Sequence, residues 1–399
     1  MFNFAKSGIR NAKHYFKNSD QYVDFIKKSR VRSCHTLKVA EKPQTLGEKL
    51  AMKKNPDEFN IFEKARKHDE PFKAMKPLVI NEIKNFDPFL NLPLVNDRII
   101  ELFENHLSFW DNIRALSIVA TYEELAKDRG HILTDDELFD VYMLGWIFEI
   151  FESYSVLADD IVDDAPLRYG EPSWFYRNDR SPVASYDTFA MINFGRTLLN
   201  KYFKDKFYYY DIQRNITQCT LTYIWGQHTD VLIQDPKLFD MSKMFNSKVY
   251  HDLVPFKAGY NFSCPIDLGL HMNGIYDEED GRKIYEVCRI AGCILQFWDD
   301  FKDYQKDIPE GKCSCIIARA LDEANETQRK ILLDNYGKKN RESVLAVLKI
   351  YKEMDVEKRF FEEEQKMLKA VEEGLQKVKN VTVRKIIINL AHTVHDYHF

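Results

Sequence analysis

Residues 142–164 read YMLGWIFEIFESYSVLADDIVDD, and residues 282–303 read RKIYEVCRIAGCILQFWDDFKD. Each stretch is an apolar run at helical spacing that ends in the same signature, Asp-Asp-x-x-Asp. In the first the acids are Asp159, Asp160 and Asp163, followed by Asp164; in the second they are Asp299, Asp300 and Asp303. Residues four apart on an α-helix lie about 40° apart in projection, so Asp159 shares a face with Asp163 and Asp299 with Asp303. Like charges so close repel, and nothing within the helix offsets them. Both apolar runs are long enough to bury their helices, which puts each cluster at the rim of a core instead of on a solvated face.

Carboxylates paired on one face want a cation. With no His or Cys beside them the donors are all oxygen, which favours a hard ion, Mg²⁺ above Zn²⁺. Mg²⁺ seldom fills its octahedron from protein and leaves room for phosphate oxygens, so two such clusters facing each other would clamp a diphosphate. One motif alone reads as readily as a solvated helix end, where Asp is favoured. Two copies, 140 residues apart and each behind a long apolar helix, point to chemistry.

Helical periodicity recurs along most of the remaining chain, at 94–107, 113–127, 136–160, 187–203, 208–233, 243–273, 280–303, 313–322, 341–354 and 357–378, and no alternating strand pairs joined by Asn-Gly or Asp-Gly turns intervene. The expectation is an all-α fold with one domain over 71–399. Composition agrees: 45% of residues are hydrophobic and 30% charged, and Gly and Pro number only 15 and 13. The net charge of −5 gives no basic field for nucleic acid. The 28 Phe, 21 Tyr and 5 Trp suggest that something large and apolar is enclosed. No run of about 18 apolar residues is present, so no membrane span is expected. Seven cysteines without metal-ligand spacing fit reduced thiols in an intracellular compartment.

The first nineteen residues, MFNFAKSGIRNAKHYFKNS, carry Lys6, Arg10, Lys13 and Lys17 but no acid, interleaved with Phe2, Phe4, Ile9 and Phe16. That is the composition of an organelle transit peptide, here spanning 1–34 and implying a mitochondrial address; a frayed helix on a cytoplasmic protein is the alternative. Residues 35–70 are polar and charged and read as a linker or arm.

At these motifs the chain resembles the trans-isoprenyl diphosphate synthases, most closely the animal farnesyl diphosphate synthase branch, over 71–399. GWIFEIFESYSVLADDIVDDAPLRYGEPSW looks like the first aspartate-rich region and LQFWDDFKDYQKD like the second. WGQHTDVL resembles the helix between them with its Gly-Gln and Asp; PFKAGYNFSCP resembles the Lys-Thr element, with Ala258 in the Thr place. GKCSCIIARAL and ETQRKILLDNYGKK are similar to the C-terminal third. The resemblance implies the isoprenoid synthase (class I terpenoid synthase) helical bundle around a central cavity, a homodimer, and two diphosphate substrates. One is allylic and is ionised with three Mg²⁺ between the aspartate clusters; the other is isopentenyl diphosphate, held in a basic pocket.

Carried over position by position, the allylic side is retained: Asp159, Asp160, Asp163, Asp299, Asp300 and Asp303 for Mg²⁺, Arg168, Lys257 and Lys312 on the departing diphosphate, with Asp230 and Gln296 beside them. The isopentenyl side is not. Where the family has Gly-Gly-Lys-x-Asn-Arg-Gly, residues 109–115 read FWDNIRA, so that Asp111 replaces the Lys. Glu152 replaces a Gln, Tyr169 the second Arg of an Arg-Arg pair, and the basic tail is His395-Asp396-Tyr397-His398-Phe399. Each charge-assisted contact to a diphosphate contributes about 1.5–3 kcal/mol. Two lost contacts and two new anions therefore remove several kcal/mol, roughly a thousandfold in affinity or more, and Arg114 alone does not restore it.

An enzyme that keeps the ionising half and loses the acceptor half makes an allylic cation that reacts with its own double bonds, with water, or by losing a proton. The expectation is a class I terpene synthase acting on farnesyl (C15) or geranylgeranyl (C20) diphosphate, looking like an insect-type synthase derived from the coupling scaffold. The alternatives are ordinary coupling with isopentenyl diphosphate and an inactive regulatory subunit. Phe151, Tyr154, Trp225, Phe256, Phe297 and Trp298 stand near the motifs as candidate walls for a cation, although aromatic residues dominate large cores in any case. The family's tunnel floor falls on Tyr154 and Ser155, one bulky and one small, which deepens the pocket beyond C10. Two departures lie beside the second cluster: the loop from Asp303 to Lys312 is shorter than the family's, with Lys306 standing in for a missing Lys, and Phe297-Trp298 follows Gln296 where a polar residue is usual.

Overall fold

Thr134 opens the central helix with a reciprocal cap, its hydroxyl accepting from the Glu137 N–H while the Glu137 carboxylate accepts from the Thr134 N–H. The helix it starts, Asp135–Val162, is buried almost all round from Val141 to Ser153. The computed structural model describes residues 60–86, 92–107, 112–235 and 237–397, and those from 60 onward belong to one compact unit.

Ahead of the central helix lie α1 (Ile61–Arg66), α2 (Asp69–Ala74), α3 (Lys76–Lys84), α4 (Pro93–His106) and α5 (Ile113–Lys127). The central helix is α6 (Asp135–Val162); a two-residue antiparallel pair, β1 (Leu167–Arg168) with β2 (Glu171–Pro172), and α7 (Trp174–Arg177) follow it. Next come α8 (Val183–Phe203), α9 (Tyr209–Gln234), α10 (Met241–Met244), α11 (Ser247–Ala258), α12 (Tyr260–Met272) and the long α13 (Glu278–Glu310). The chain closes with α14 (Cys315–Glu323), α15 (Glu326–Asn335), α16 (Arg341–Glu353), α17 (Val356–Leu375) and α18 (Val381–Tyr397). The all-α expectation holds, and the short β pair is the only strand structure among the described residues.

α6 packs between α5 and α8, α12 lies on α5 and α13, α11 bridges α9 and α13, and α17 and α18 back α13. Trp146, Ile147, Ile150 and Leu157 on α6, with Ile294 and Trp298 on α13, anchor this core at 1% exposure or less. α6 is also the one described helix long and apolar enough to cross a membrane, yet 78% of its apolar window is buried against neighbouring helices, as in a core strut.

Three readings of the sequence change. The segment 60–70, read as part of an arm, is largely helical, because Ile61, Ala65, His68 and Phe72 recur on one face and all are buried. The stretch from Asp303 to Lys312, read as a loop, is the continuation of α13 to Glu310, ended by Gly311 in the left-handed region at φ 74°. The segment 243–273 is divided into α10, α11 and α12, the last two joined through Gly259 alone. The expected transit segment 1–34, residues 35–59, and Asp111, Phe109 and Trp110 lie outside the described residues. All six cysteines in the described part are free.

Candidate active site

The two clusters meet through lysines. Asp163 caps the C-terminus of α6, and its carboxylate accepts from Lys312 Nζ at 2.7 Å, just beyond the Gly311 cap of α13. Lys257, near the end of α11, donates to Asp230 Oδ2 of α9 at 2.7 Å and lies in the electrostatic field of both Asp159 and Asp300. This approach of α9 to α11 depends on Gly226: a Cβ there would stand 2.7 Å from the backbone carbon of Phe256. Gly292 does the same for α13, where a Cβ would meet the Ala258 carbonyl oxygen at 2.4 Å. Small residues at the crossings thus bring α9 and α13 close to the Lys257 end of α11.

The carboxylates are held differently. Asp160 is 1% exposed and accepts from Arg168 Nη2 at 2.6 Å and Nε at 2.9 Å, across the tight turn after α6. Asp300 is buried and accepts from Gln296 Nε2 at 2.8 Å and from the Cys315 N–H at 2.7 Å. Burial pushes its carboxyl up to about 6 while Lys257 and these donors pull it back. Asp159 is pushed up to about 6 by burial and by Asp163 beside it, against the pull of Lys257, Lys312 and Arg168. Asp299 and Asp303 sit at the rim, Gln296 at 3.4 Å from the first and Lys306 at 3.5 Å from the second. Asp307, one turn beyond Asp303 on α13, is buried and pushed up to about 8 by burial and then by Asp300.

The donor set fits a hard divalent cation: it is all oxygen, Asp159 carries like-charge crowding that its lysines do not remove, and the buried Asp230 Oδ1 has no hydrogen-bond partner. Among the described residues no three carboxylate, His or Cys side chains converge closely enough to cage an ion. An ion held here would take most of its ligands from water and substrate oxygens, which is the habit of Mg²⁺.

Two turns back along α6 from Asp159, Glu152 is 4% exposed and paired with Arg114 of α5 at 3.3 Å. Burial raises its carboxyl, while Arg114 and a hydrogen bond from Tyr260 of α12 lower it. Tyr169 occupies the turn at φ 54°, and burial pushes its phenol up to about 12, against the nearby Arg168 and Arg114.

The aromatic wall is only partly as expected. Phe151 is buried and Tyr154 half-buried, but Trp225 is 61% exposed on the outer side of α9, and Phe256 is exposed too. Phe297 and Trp298 are core residues packed on Phe360, the first stacked at 5.2 Å and the second edge-on at 4.9 Å, with Trp298 Nε1 donating to Glu364 at 2.7 Å. The reason is helical phase: one or two residues from a site residue is 100° or 200° of rotation. The aromatic residues that do reach the site are two that motif reasoning misses. Tyr223 donates its hydroxyl to the Ser155 carbonyl at 2.7 Å, and Tyr260 packs edge-on against it. Tyr223 lies seven residues before Asp230 and Tyr260 three after Lys257, spacings that put each on its partner's face and could have revealed both. A separate cavity of about 220 Å³, lined by Tyr250, His251, Phe297 and Glu363, backs onto Asp300 through Cys315.

A polyprenyl synthetase family model matches residues 111–354. A farnesyl pyrophosphate synthase of Candida albicans is 29% identical over 315 residues, covering 75% of this chain and 89% of the relative. One of Saccharomyces cerevisiae is 31% identical over 66% of this chain and 78% of its own length. A mitochondrial farnesyl pyrophosphate synthase of Arabidopsis thaliana is 32% identical over 63% of this chain and 68% of its own.

Proposed function

Because the chain belongs to the polyprenyl synthetase family, we propose that it is an enzyme that ionises an allylic prenyl diphosphate with Mg²⁺ and lets the cation close or lose a proton within the site, as a class I terpene synthase does. One observation carries the choice of acceptor. The only described cation at the berth carried over for isopentenyl diphosphate, Arg114, is paired with the buried Glu152 at 3.3 Å, and the neighbouring position is Tyr169. A second diphosphate entering there meets a carboxylate and a spent guanidinium.

Whole-chain similarity favours the second reading, coupling of isopentenyl diphosphate to the allylic substrate, since the relatives above are named farnesyl pyrophosphate synthases. Identity near 30% speaks for scaffold and ionising half, whereas the choice of nucleophile rests on a few side chains at one berth. Those side chains are the ones that depart from the family pattern this chain's motifs resemble.

In the proposed reaction Arg168, Lys257 and Lys312 supply the donors for the departing diphosphate. Each is now held on a carboxylate: Asp160, Asp230 and Asp163. Bound Mg²⁺ would supply electrostatic stabilisation of charge gathering on the leaving oxygens. Asp230 keeps Lys257 protonated, raising its pKa against the burial that would discharge it. The buried Phe151 and Tyr223 and the half-buried Tyr260 exclude water from the cation.

Purified protein with Mg²⁺ and farnesyl or geranylgeranyl diphosphate alone is expected to release diphosphate and a hydrocarbon or alcohol visible by gas chromatography. Product that forms only on adding isopentenyl diphosphate would establish the coupling reading, and Asp159→Ala should abolish either activity while the far-ultraviolet spectrum stays unchanged. A homodimer and a mitochondrial or cytoplasmic location belong to the same proposal; the location is supported by a mitochondrial relative and by the acid-free N-terminus.

A further inference from the structure

The face of α6 that ends in Asp159 continues inward through Ser155 and Glu152, four and seven residues back and within about 40° of it in projection. Ser155 is small and buried, and its hydroxyl turns back to the Phe151 carbonyl at 3.1 Å. A hydrocarbon chain running inward from a diphosphate at Asp159 therefore meets no bulk from α6 at the first turn.

Bulk arrives from the facing helices. Tyr223 of α9 is 6% exposed, and its hydroxyl donates to the Ser155 carbonyl at 2.7 Å, which fixes the ring against α6 at the level of the missing side chain. The Tyr260 ring of α12 meets it edge-on, centroids 5.9 Å apart and planes at 71°, and Tyr260 stands close enough to Glu152, one turn deeper, to help lower its pKa. On α9, Tyr223 shares its face with Asp230, so the helix that holds Lys257 also presents this ring to the same space.

We propose that Tyr223, braced by Tyr260, is the stop for the substrate's hydrocarbon tail, supplying from α9 the volume that Ser155 gives up on α6, and that the substrate is the C15 diphosphate rather than the C20. The inference rests on the allylic-diphosphate reading above, in which the cation closes or loses a proton within the site. Tyr223 is a specificity residue: it shapes the space for the tail and takes no part in ionisation.

The test is diphosphate release, as kcat/KM, from C10, C15 and C20 allylic diphosphates with Mg²⁺. The wild-type chain should favour C15 over C20. Tyr223→Ala should move the C20/C15 ratio up by about tenfold or more, the size of effect that one misfitted apolar group has on specificity. Tyr223→Phe keeps the ring and should leave the order unchanged; Tyr223→Leu keeps apolar volume in case the alanine variant does not fold, and should shift the ratio part of the way. Adding Ser155→Phe to Tyr223→Ala should return preference to C15. A C20/C15 ratio unmoved in folded Tyr223→Ala and Tyr223→Leu overturns this inference while leaving the allylic reading intact. No release by the wild-type chain from any of the three overturns that reading and this one together.

Discussion

Glu152 illustrates how one carboxylate can redirect a site. It is buried two turns below Asp159, where Arg114 at 3.3 Å and the Tyr260 hydroxyl oppose the burial that raises its pKa. Breaking such a pair by removing one member leaves an uncompensated charge, but at this place the freed charge is the guanidinium a diphosphate would want. Glu152→Gln with Tyr169→Arg should therefore create affinity for isopentenyl diphosphate: two restored charge-assisted contacts at about 1.5–3 kcal/mol each predict at least a hundredfold gain. The Arg costs no new backbone strain, since Tyr169 already sits at φ 54° as a non-glycine residue. Calorimetric titration of the double variant reads the outcome directly, and an unchanged isotherm would remove the ground for preferring internal closure over coupling.

At the level of elements, the site depends on how closely helices cross. Gly226 faces the backbone of Phe256 and Lys257, and a methyl group in place of its hydrogen would stand 2.7–2.9 Å from three of their backbone atoms. Those atoms belong to α11 and cannot rotate away, so Gly226→Ala should force α9 and α11 apart. The expected cost is about 1–3 kcal/mol in denaturant unfolding, with kcat falling more than KM rises because the Asp230–Lys257 bond of 2.7 Å is the first thing stretched. Wild-type kcat with reduced stability would show that this bond is not needed for turnover. The same elements show what could be read from sequence. α6 and α13 are legible because their apolar runs are long and end in repeated acids, and the Thr134–Glu137 cap is visible as Thr-x-x-Glu. Four contacts join residues singled out from the motifs: Arg168 with Asp160, Lys257 with Asp230, Lys312 with Asp163, and Gln296 with Asp300. What escapes is phase and partner. Trp225 and Phe256 adjoin site residues in sequence yet turn outward, whereas Tyr223, two places from Trp225, turns in; the retained Arg114 and the replaced Glu152 are unconnected positions until the fold pairs them. Contacts between residues 38 to 149 apart in the chain, Arg114 with Glu152 or Asp163 with Lys312, are fixed by packing and leave no periodic trace in either segment.

Across the molecule, the charged contacts of the candidate site join α6 to the turn that follows it, α9 to α11, and α6 to the turn after α13. Both α8 and α9 carry exposed apolar side chains at helical spacing. Val183, Tyr186 and Phe189 recur every third residue on α8, and Leu221, Trp225 and Leu232 follow at helical spacing on α9; Phe189 and Trp225 are each 61% exposed. Exposed apolar stripes of this kind mark interaction surfaces, and a symmetric pair of chains would cover them with copies of themselves. Light scattering should accordingly give a particle of two 47.2 kDa chains. Phe189→Glu with Trp225→Glu should yield monomers, because four buried carboxylates across the symmetric contact have no partner. The monomer should retain diphosphate release at reduced rate, since α9 holds Asp230 and Tyr223 on one side and loses its cover on the other. A wild-type chain that scatters as a monomer at micromolar concentration would sink the dimer and leave those stripes for a different partner; a dimer that survives both substitutions would move the contact to another surface.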